Sequence, residues 1–200
     1  MIILPSTYLP SVEHMAHLLS GEAIIDIGEH YIKRSPRNRA RIMSAGGVMD
    51  LTVNIQKANT PRQAMSGIKI DYSKRWQHKH RMAIVSAYRS SPYFEHYWPY
   101  LEPLFSCEFE LLHELNDAIL RVLITLMGGQ EELIRYSDSY ITPQEGDIDL
   151  RPKSRELTIH PEEYTQIFYD RFDFAPNLSS LDLLLCEGTN AARLLEAMRL

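Results

Sequence analysis

The sequence predicts an α/β domain with a mixed sheet, and three features support this prediction. A strand, a loop and a helix open the chain, a β-hairpin is predicted near residues 40–56, and the C-terminal half is predicted to be largely helical. Two hundred residues, of which 44% are hydrophobic, are enough to bury a sizeable core. We therefore expect one domain that spans residues 1–200.

The first elements follow the order that is typical of an α/β domain. The apolar run of residues 2–4 predicts a strand, which Pro5 ends. Ser11 is predicted to cap the next helix, because its hydroxyl can accept a hydrogen bond from a first-turn N–H, and Gly21 is predicted to end it. Residues 23–27 are too apolar for an exposed edge, so they predict a central strand.

The predicted hairpin joins residues 40–43 to residues 48–55. Its turn contains Gly46-Gly47, which can adopt the positive φ that tight hairpin turns require. The polar residues 56–67 that follow are predicted to form a loop.

A short strand and a long helix are predicted after this loop. The strand covers residues 68–72, and the helix has Ser73 as its predicted N-cap and ends near Ser90. The residues along one side of the helix, at the spacing of a buried stripe, are Trp76, His80, Ala83, Ile84, Ala87 and Tyr88.

His80 lies within this stripe and allows two interpretations. In the first it is a hydrogen-bonded interior histidine, and the cations of the helix form a solvated face. In the second it borders a pocket and acts as a general base, because a partly desolvated imidazole stays neutral at physiological pH. Periodicity reports burial and cannot decide between the two.

Helices dominate the prediction for the rest of the chain. The apolar spacing of residues 109–127 predicts a helix that Gly128 closes. Further helix starts are predicted at Ser91-Pro92, at Ser179 or Ser180, and at Thr189 or Asn190. Residues 133–136 predict a strand, and the polar residues 142–160 predict a long surface segment.

Metal-binding side chains do not form a recognisable set. His14 and His17, at i and i+3, could chelate an ion from one helix face, but no third ligand is marked, so we expect partly exposed positions. Cys107 and Cys186 stand far apart and outside any C-x-x-C motif. We predict no metal, no cofactor and a reducing, cytoplasmic location. Membrane insertion is not expected, because no apolar window of about 18 residues exists.

The net charge of −5 hides an uneven distribution. Residues 31–90 hold 13 Lys or Arg and two acids, a formal charge of +11, whereas the other 140 residues carry −16. The two blocks either form internal ion pairs or leave a positive surface available to an anion, for which phosphate is the usual candidate.

Arginines alternate in the segment that begins the basic block. In an extended chain Arg37, Arg39 and Arg41 would face one side, where guanidinium groups could grip a diphosphate bidentately. The predicted phosphate-binding residues are Lys33, Arg37, Asn38, Arg39 and Arg89. The aromatic residues predicted to stack on a base or sugar, unless they pack in the core, are Tyr72, Trp76 and Tyr88.

Several pieces of the sequence match one known family in order and spacing. They are Leu4-Pro5-Ser6-Thr7-Tyr8-Leu9-Pro10, Lys33 with Arg37-Asn38-Arg39, Asp71-Tyr72-Ser73-Lys74-Arg75-Trp76 with His80, Ala87-Tyr88-Arg89-Ser90-Ser91-Pro92-Tyr93-Phe94, and Pro176-Asn177-Leu178-Ser179-Ser180-Leu181-Asp182-Leu183-Leu184 with Glu187-Gly188. By these pieces the chain resembles the WbqC-like protein family over nearly its whole length. The resemblance implies a role in bacterial surface-polysaccharide (O-antigen) biosynthesis, where some members are proposed to be glycine transferases. It carries over no established catalytic residues.

The first functional hypothesis is therefore a transferase that moves a glycyl or other acyl group onto an amino-sugar nucleotide. The predicted cations would hold the diphosphate, and His80 would take a proton from the acceptor amine. The alternatives are a non-catalytic anion- or nucleic-acid-binding module and a structural partner in a polysaccharide-assembly complex. The sequence leaves open whether the chain forms a homo-oligomer.

Overall fold

A four-stranded parallel sheet lies at the centre of the fold. The computed structural model describes residues 1–57 and 62–199. The strands of this sheet are β1 (Ile2–Pro5), β2 (Ala23–Asp26), β5 (Tyr136–Ser137) and β6 (Ile148–Asp149). They lie in the order β5-β2-β1-β6, and each neighbouring pair is parallel. β2 is therefore central, as its apolar sequence predicts, and β1 lies beside it in the middle of the sheet.

The predicted hairpin is confirmed, and it forms a separate two-stranded sheet. β3 (Arg39–Ser44) pairs antiparallel with β4 (Gly47–Thr52), from Arg39 opposite Thr52 to Ser44 opposite Gly47. Gly47 has φ +96°, which is the conformation that this tight turn demands of its glycine.

Helices pack around the sheets and occur in both halves of the chain. They are α1 (Val12–Leu18), α2 (Trp76–Tyr88), α3 (Phe94–Leu101), α4 (Leu112–Leu126), α5 (Ser180–Glu187) and α6 (Ala191–Ala197). Ser11 caps α1 by accepting from the His14 N–H, and Ser179 caps α5 by accepting from the Leu181 N–H. No helix within residues 1–57 and 62–199 combines the length and apolar character that crossing a membrane requires.

Two predictions around the start of α2 are wrong. Residues 68–72 make isolated bridges, Ile70 with Ile55 and Lys69 with Leu111, rather than a continuous strand. Ser73 does not cap α2, because its N–H donates to the Asp71 carboxylate at 2.8 Å and so closes a local turn. α2 begins at Trp76 without a side-chain cap.

The segment predicted to lie on the surface contributes a strand to the central sheet. β6 lies within residues 142–160 and pairs with β1, and Leu150 and Ile159 are buried. A strand of two residues is too short to show a two-residue period, so the sequence gives no alternation to detect. Within the predicted loop 56–67, residues 58–61 lie outside the described residues.

His14 and His17 are buried rather than partly exposed. Only 3% of His14 and 5% of His17 is accessible, because every residue of α1 is buried between its neighbours. His14 Nδ1 lies 3.3 Å from the Thr7 hydroxyl, and His17 Nε2 lies 2.7 Å from the Thr158 hydroxyl. Burial lowers the pKa of both imidazoles, that of His14 to about 3, so both are neutral interior groups.

Candidate functional site

A basic cleft lies at the carboxyl ends of the two strands β1 and β6. The chain that leaves β1 continues through α1 into β2 on one side of β1, whereas β6 pairs with the other side. In open parallel sheets, ligands bind where the connections diverge in this way. The cleft has a volume of about 310 Å³, and its walls include Thr7 and Tyr8 after β1 and Arg151 to Lys153 after β6.

Positive charge dominates the lining of this cleft. Its cationic residues are Arg39, Arg41, Arg151, Lys153 and Arg155. Glu13 is the acid that lines it. They come from β3, from the segment after β6 and from α1, so the fold assembles the charge from distant parts of the chain.

Carboxylates already hold three of these cations. Arg39 Nη1 donates to Asp50 at 2.9 Å. Arg151 grips Asp149 with two hydrogen bonds of 2.9 and 2.8 Å and also donates to Asp26, which is fully buried at the end of β2. Pairs of this kind fix the arginines in place and reduce the charge that they offer to a ligand.

Arg155 forms an ion pair with Glu13, and Glu13 connects three segments of the chain that surround the cleft. Each terminal nitrogen of Arg155 donates to one Glu13 oxygen at 2.7 Å. Glu13 also accepts from the Thr158 N–H at 2.8 Å and from the Asn177 amide at 3.3 Å. Burial raises the pKa of Glu13, but the hydrogen bonds from Arg155 and Thr158 outweigh it, so the pKa is lowered and the carboxylate stays ionised.

Arg41 and Lys153 are the cations that remain available in the cleft. Both side chains are exposed, and among residues 1–57 and 62–199 neither has a hydrogen bond or an ion pair. They come from different segments of the chain and line the same cleft. An anionic ligand could therefore pair with both without displacing an internal carboxylate.

The histidine predicted to be a base lies behind the wall of the cleft. His80 is 5% accessible, and its Nδ1 lies 2.9 Å from the hydroxyl of Tyr8, which lines the cleft. Its ring also packs against Trp76 at 5.2 Å between centroids. Burial lowers the pKa of His80 to about 4, against a hydrogen bond with the backbone of Thr52. His80 is a neutral interior group that touches the cleft only through Tyr8.

Arg37 and Asn38, which were predicted to bind phosphate, are buried and form hydrogen bonds within the protein. Arg37 is 1% accessible and makes a bidentate pair with Glu29, and it also donates to the Arg151 carbonyl at 3.1 Å. Asn38 is buried and donates to the Val53 carbonyl at 3.0 Å. The expected row of three arginines is therefore broken, because the chain buries the first one against Glu29.

The aromatic residues predicted to stack on a ligand are mostly interior. Trp76 is 3% accessible and lies between Tyr8 and Tyr72, at 6.3 and 5.8 Å between centroids. Tyr88 is fully buried, and its hydroxyl donates to Asp182 at 2.7 Å. Tyr72 is half-buried and donates to the Phe109 carbonyl at 3.1 Å. Core packing, the alternative reading, accounts for Trp76 and Tyr88.

Lys33 and Arg89 are exposed, and neither is among the residues that line the cleft. Of the three arginines predicted to grip a diphosphate, the fold brings Arg39 and Arg41 to this site. The cations that the sequence analysis missed are Arg151, Lys153 and Arg155. Their signal was three cations within five residues, and it was hidden because these residues lie in the acidic part of the chain.

Within residues 1–57 and 62–199, no group of three or more His, Cys, Asp or Glu side chains is arranged to hold a metal ion. The cations that line the basic cleft favour an anionic ligand.

Comparison with known protein families identifies a match. The family model of the WbqC-like protein family matches residues 6–152, which include the loop after β1, β3 and Arg151, and end before Lys153. The C-terminal resemblance at residues 176–188 lies outside this match. No curated protein and no solved structure matches the chain. Since the matched region covers well over half of the sequence, the chain belongs to the WbqC-like protein family.

Proposed function

We propose that the protein is a transferase of bacterial surface-polysaccharide biosynthesis that binds a sugar nucleotide in the basic cleft. The observation that carries this proposal is the pair of unpaired cations, Arg41 and Lys153, at the point of a parallel sheet where ligands bind. Family membership supports the polysaccharide context. A nucleoside diphosphate sugar carries one negative charge on each phosphate, which matches two available cations.

The reaction that we propose is transfer of an acyl group, with glycyl as the first candidate, to the amine of the sugar. The acyl donor is an activated ester or thioester. The sugar ammonium first gives one proton to solvent, and the free amine nitrogen then forms the new bond to the carbonyl carbon. The bond from that carbon to the leaving oxygen or sulfur breaks, and the released alcohol or thiol takes the second proton that the nitrogen loses. His80 is not among the residues that line the cleft, so we assign it the positioning of Tyr8 rather than the role of base. A cytoplasmic location is part of the proposal, in line with Cys107 and Cys186, which are both free.

The test is a thermal-shift titration with a panel of nucleoside diphosphate sugars. A ligand that binds only the native state must raise the unfolding midpoint. When its concentration is a hundred times Kd, it adds about 2.7 kcal/mol to the free energy of unfolding. Arg41→Gln and Lys153→Gln are each expected to weaken binding about tenfold, since each removes one charge-assisted contact. Arg89→Gln is the matched control, because Arg89 is exposed but does not line the cleft.

The proposal fails if no member of the panel shifts the midpoint. It also fails if Arg41→Gln and Lys153→Gln bind the ligand as tightly as the Arg89→Gln control.

A further inference from the structure

A second depression lies beside the basic cleft, between the β3–β4 hairpin and the loop of residues 163–174. Its volume is about 610 Å³. Aromatic side chains and Met43 form its walls, with Tyr164, Phe172 and Phe174 among them. We call this depression the aromatic groove.

The wall of the aromatic groove is held by contacts within the protein. The Tyr164 hydroxyl donates to Asp182 at 2.6 Å, and its ring meets Phe174 edge-on at 5.4 Å between centroids. The buried Gln166 side chain both donates to and accepts from the backbone of Ala175, at 2.9 Å in each case. These contacts fix the positions of Tyr164 and Gln166 in the wall of the groove.

Two carboxylates line this groove, in contrast to the cations of the basic cleft. Glu163 and Asp173 are exposed, and within residues 1–57 and 62–199 neither has a hydrogen bond or an ion pair. Aromatic faces attract cations through their quadrupole, and ionised carboxylates make strong hydrogen bonds to ammonium groups. The combination favours a ligand that carries a protonated amine on an apolar or ring-shaped body.

The groove and the cleft are neighbours along one strand. Arg41 lines the cleft and Met43 lines the groove, and alternate residues of a strand share a face about 7 Å apart. The Ser179 N–H donates to the Arg41 carbonyl at 2.8 Å, so the segment that follows Phe174 runs beside β3. One ligand could therefore place an anion in the cleft and a cation in the groove.

We propose that the aromatic groove is the subsite for the amino-sugar portion of the ligand, with the sugar ring against Phe172 and Phe174 and the ammonium group on Glu163 and Asp173. Its link to the basic cleft rests on the proposed function. The groove's own preference for an amino sugar does not depend on that function.

The test uses glucosamine as the probe and N-acetylglucosamine as its neutral counterpart, with binding measured by ligand-observed NMR. Glucosamine is expected to bind saturably and at least about tenfold more tightly than the neutral sugar, since only glucosamine makes charge-assisted contacts. The double variant Glu163→Gln/Asp173→Asn should lose that factor of about ten. Asp170→Asn is the matched control, because Asp170 lies in the same loop but pairs with Arg171 at 3.7 Å and does not line the groove.

The inference is overturned if glucosamine shows no saturable binding, if both sugars bind equally, or if the double variant binds like the control. Measuring a nucleoside diphosphate sugar on the same variants separates the two proposals. If binding of the nucleoside diphosphate sugar still requires Arg41 and Lys153 while glucosamine does not bind, only the proposal of an amino-sugar subsite is wrong. If binding of glucosamine requires Glu163 and Asp173 while no nucleoside diphosphate sugar binds, only the proposed function is wrong.

Discussion

The hydroxyl oxygen of Tyr8 lies 2.9 Å from Nδ1 of His80, and this contact joins the wall of the cleft to the interior face of α2. His80 is neutral because burial lowers its pKa to about 4, so Nδ1 can accept the Tyr8 proton. Burial also raises the pKa of Tyr8, which keeps its hydroxyl protonated. The pair thus fixes the loop after β1 without placing a charge behind the cleft.

His80→Gln is expected to flatten the dependence of stability on pH. A histidine in the unfolded chain has a pKa near 6.5, whereas the native pKa of His80 is about 4. Between these two values the unfolded chain binds a proton that the native protein does not bind. The free energy of unfolding therefore falls as the pH drops from about 6.5 to about 4. Between about pH 7 and about pH 5 the wild type should lose roughly 2 kcal/mol more than His80→Gln. Chemical denaturation at several pH values measures this. His78→Gln, at an exposed position of α2, is the control, and equal slopes for wild type and His80→Gln would contradict the prediction.

Arg37→Gln is expected to destabilise the fold rather than weaken ligand binding selectively. It would leave the buried Glu29 carboxylate without its bidentate partner, and breaking a buried pair in this way costs about 3–5 kcal/mol. Arg41→Gln should change stability by less than about 0.5 kcal/mol, because Arg41 is exposed. Urea unfolding of both variants distinguishes these roles, and similar stabilities would show that the pair with Glu29 contributes little.

Tyr88→Phe tests whether Tyr88 belongs to the core or to a ligand site. The change removes a donor to the buried Asp182 and an acceptor 3.0 Å from the Met43 N–H, so we expect a loss of about 1–3 kcal/mol. Tyr100→Phe, at a position that is 59% exposed, should be nearly neutral. Affinity for a nucleoside diphosphate sugar should be unchanged in both variants. A lower affinity in a normally stable Tyr88→Phe protein would instead indicate that the Tyr88 hydroxyl contacts the ligand.

Gly28→Ala is expected to distort the loop that follows β2. A Cβ at this position would lie 2.5 Å from backbone atoms of Ser139 and Tyr140, which cannot rotate away. Overpacking of this kind costs about 1–3 kcal/mol. Gly46→Ala is the control, since the nearest atom to its added Cβ lies 3.9 Å away. Thermal unfolding compares them, and equal midpoints would mean that the loop yields easily.

The parts of the fold that are determined by residues close together in the sequence could be predicted. The caps at Ser11 and Ser179 and the turn at Gly47 are set by local backbone geometry, so each is visible in a short stretch. β5 and β6 could not be predicted with their bounds, because two residues carry no period. Their pairing is decided by contacts with β2 and β1 far along the chain.

The candidate site was less predictable, because burial separates residues that look alike in sequence. Arg37 and Arg41 belong to one basic run, yet Glu29 draws the first into the core and leaves the second exposed. Lys153 reaches the same cleft only because β6 pairs with β1. The distribution of charge along the sequence therefore predicts a positive region. It does not predict which of its residues line the cleft.

Salt dependence separates a sugar-nucleotide site from a nucleic-acid surface. Two available cations, Arg41 and Lys153, can make about two phosphate contacts, so the logarithm of the affinity should fall with a slope of about 2 or less against the logarithm of salt concentration. A nucleic-acid surface that used the whole basic block would make many more contacts and give a much steeper slope. Titration of a nucleoside diphosphate sugar and of a single-stranded oligonucleotide across a range of salt concentrations provides the comparison. Lys153→Gln should weaken sugar-nucleotide binding and reduce its already small salt dependence, whereas Arg89→Gln should change neither. Tight oligonucleotide binding with a steep slope that Arg89→Gln reduces would favour the nucleic-acid alternative instead.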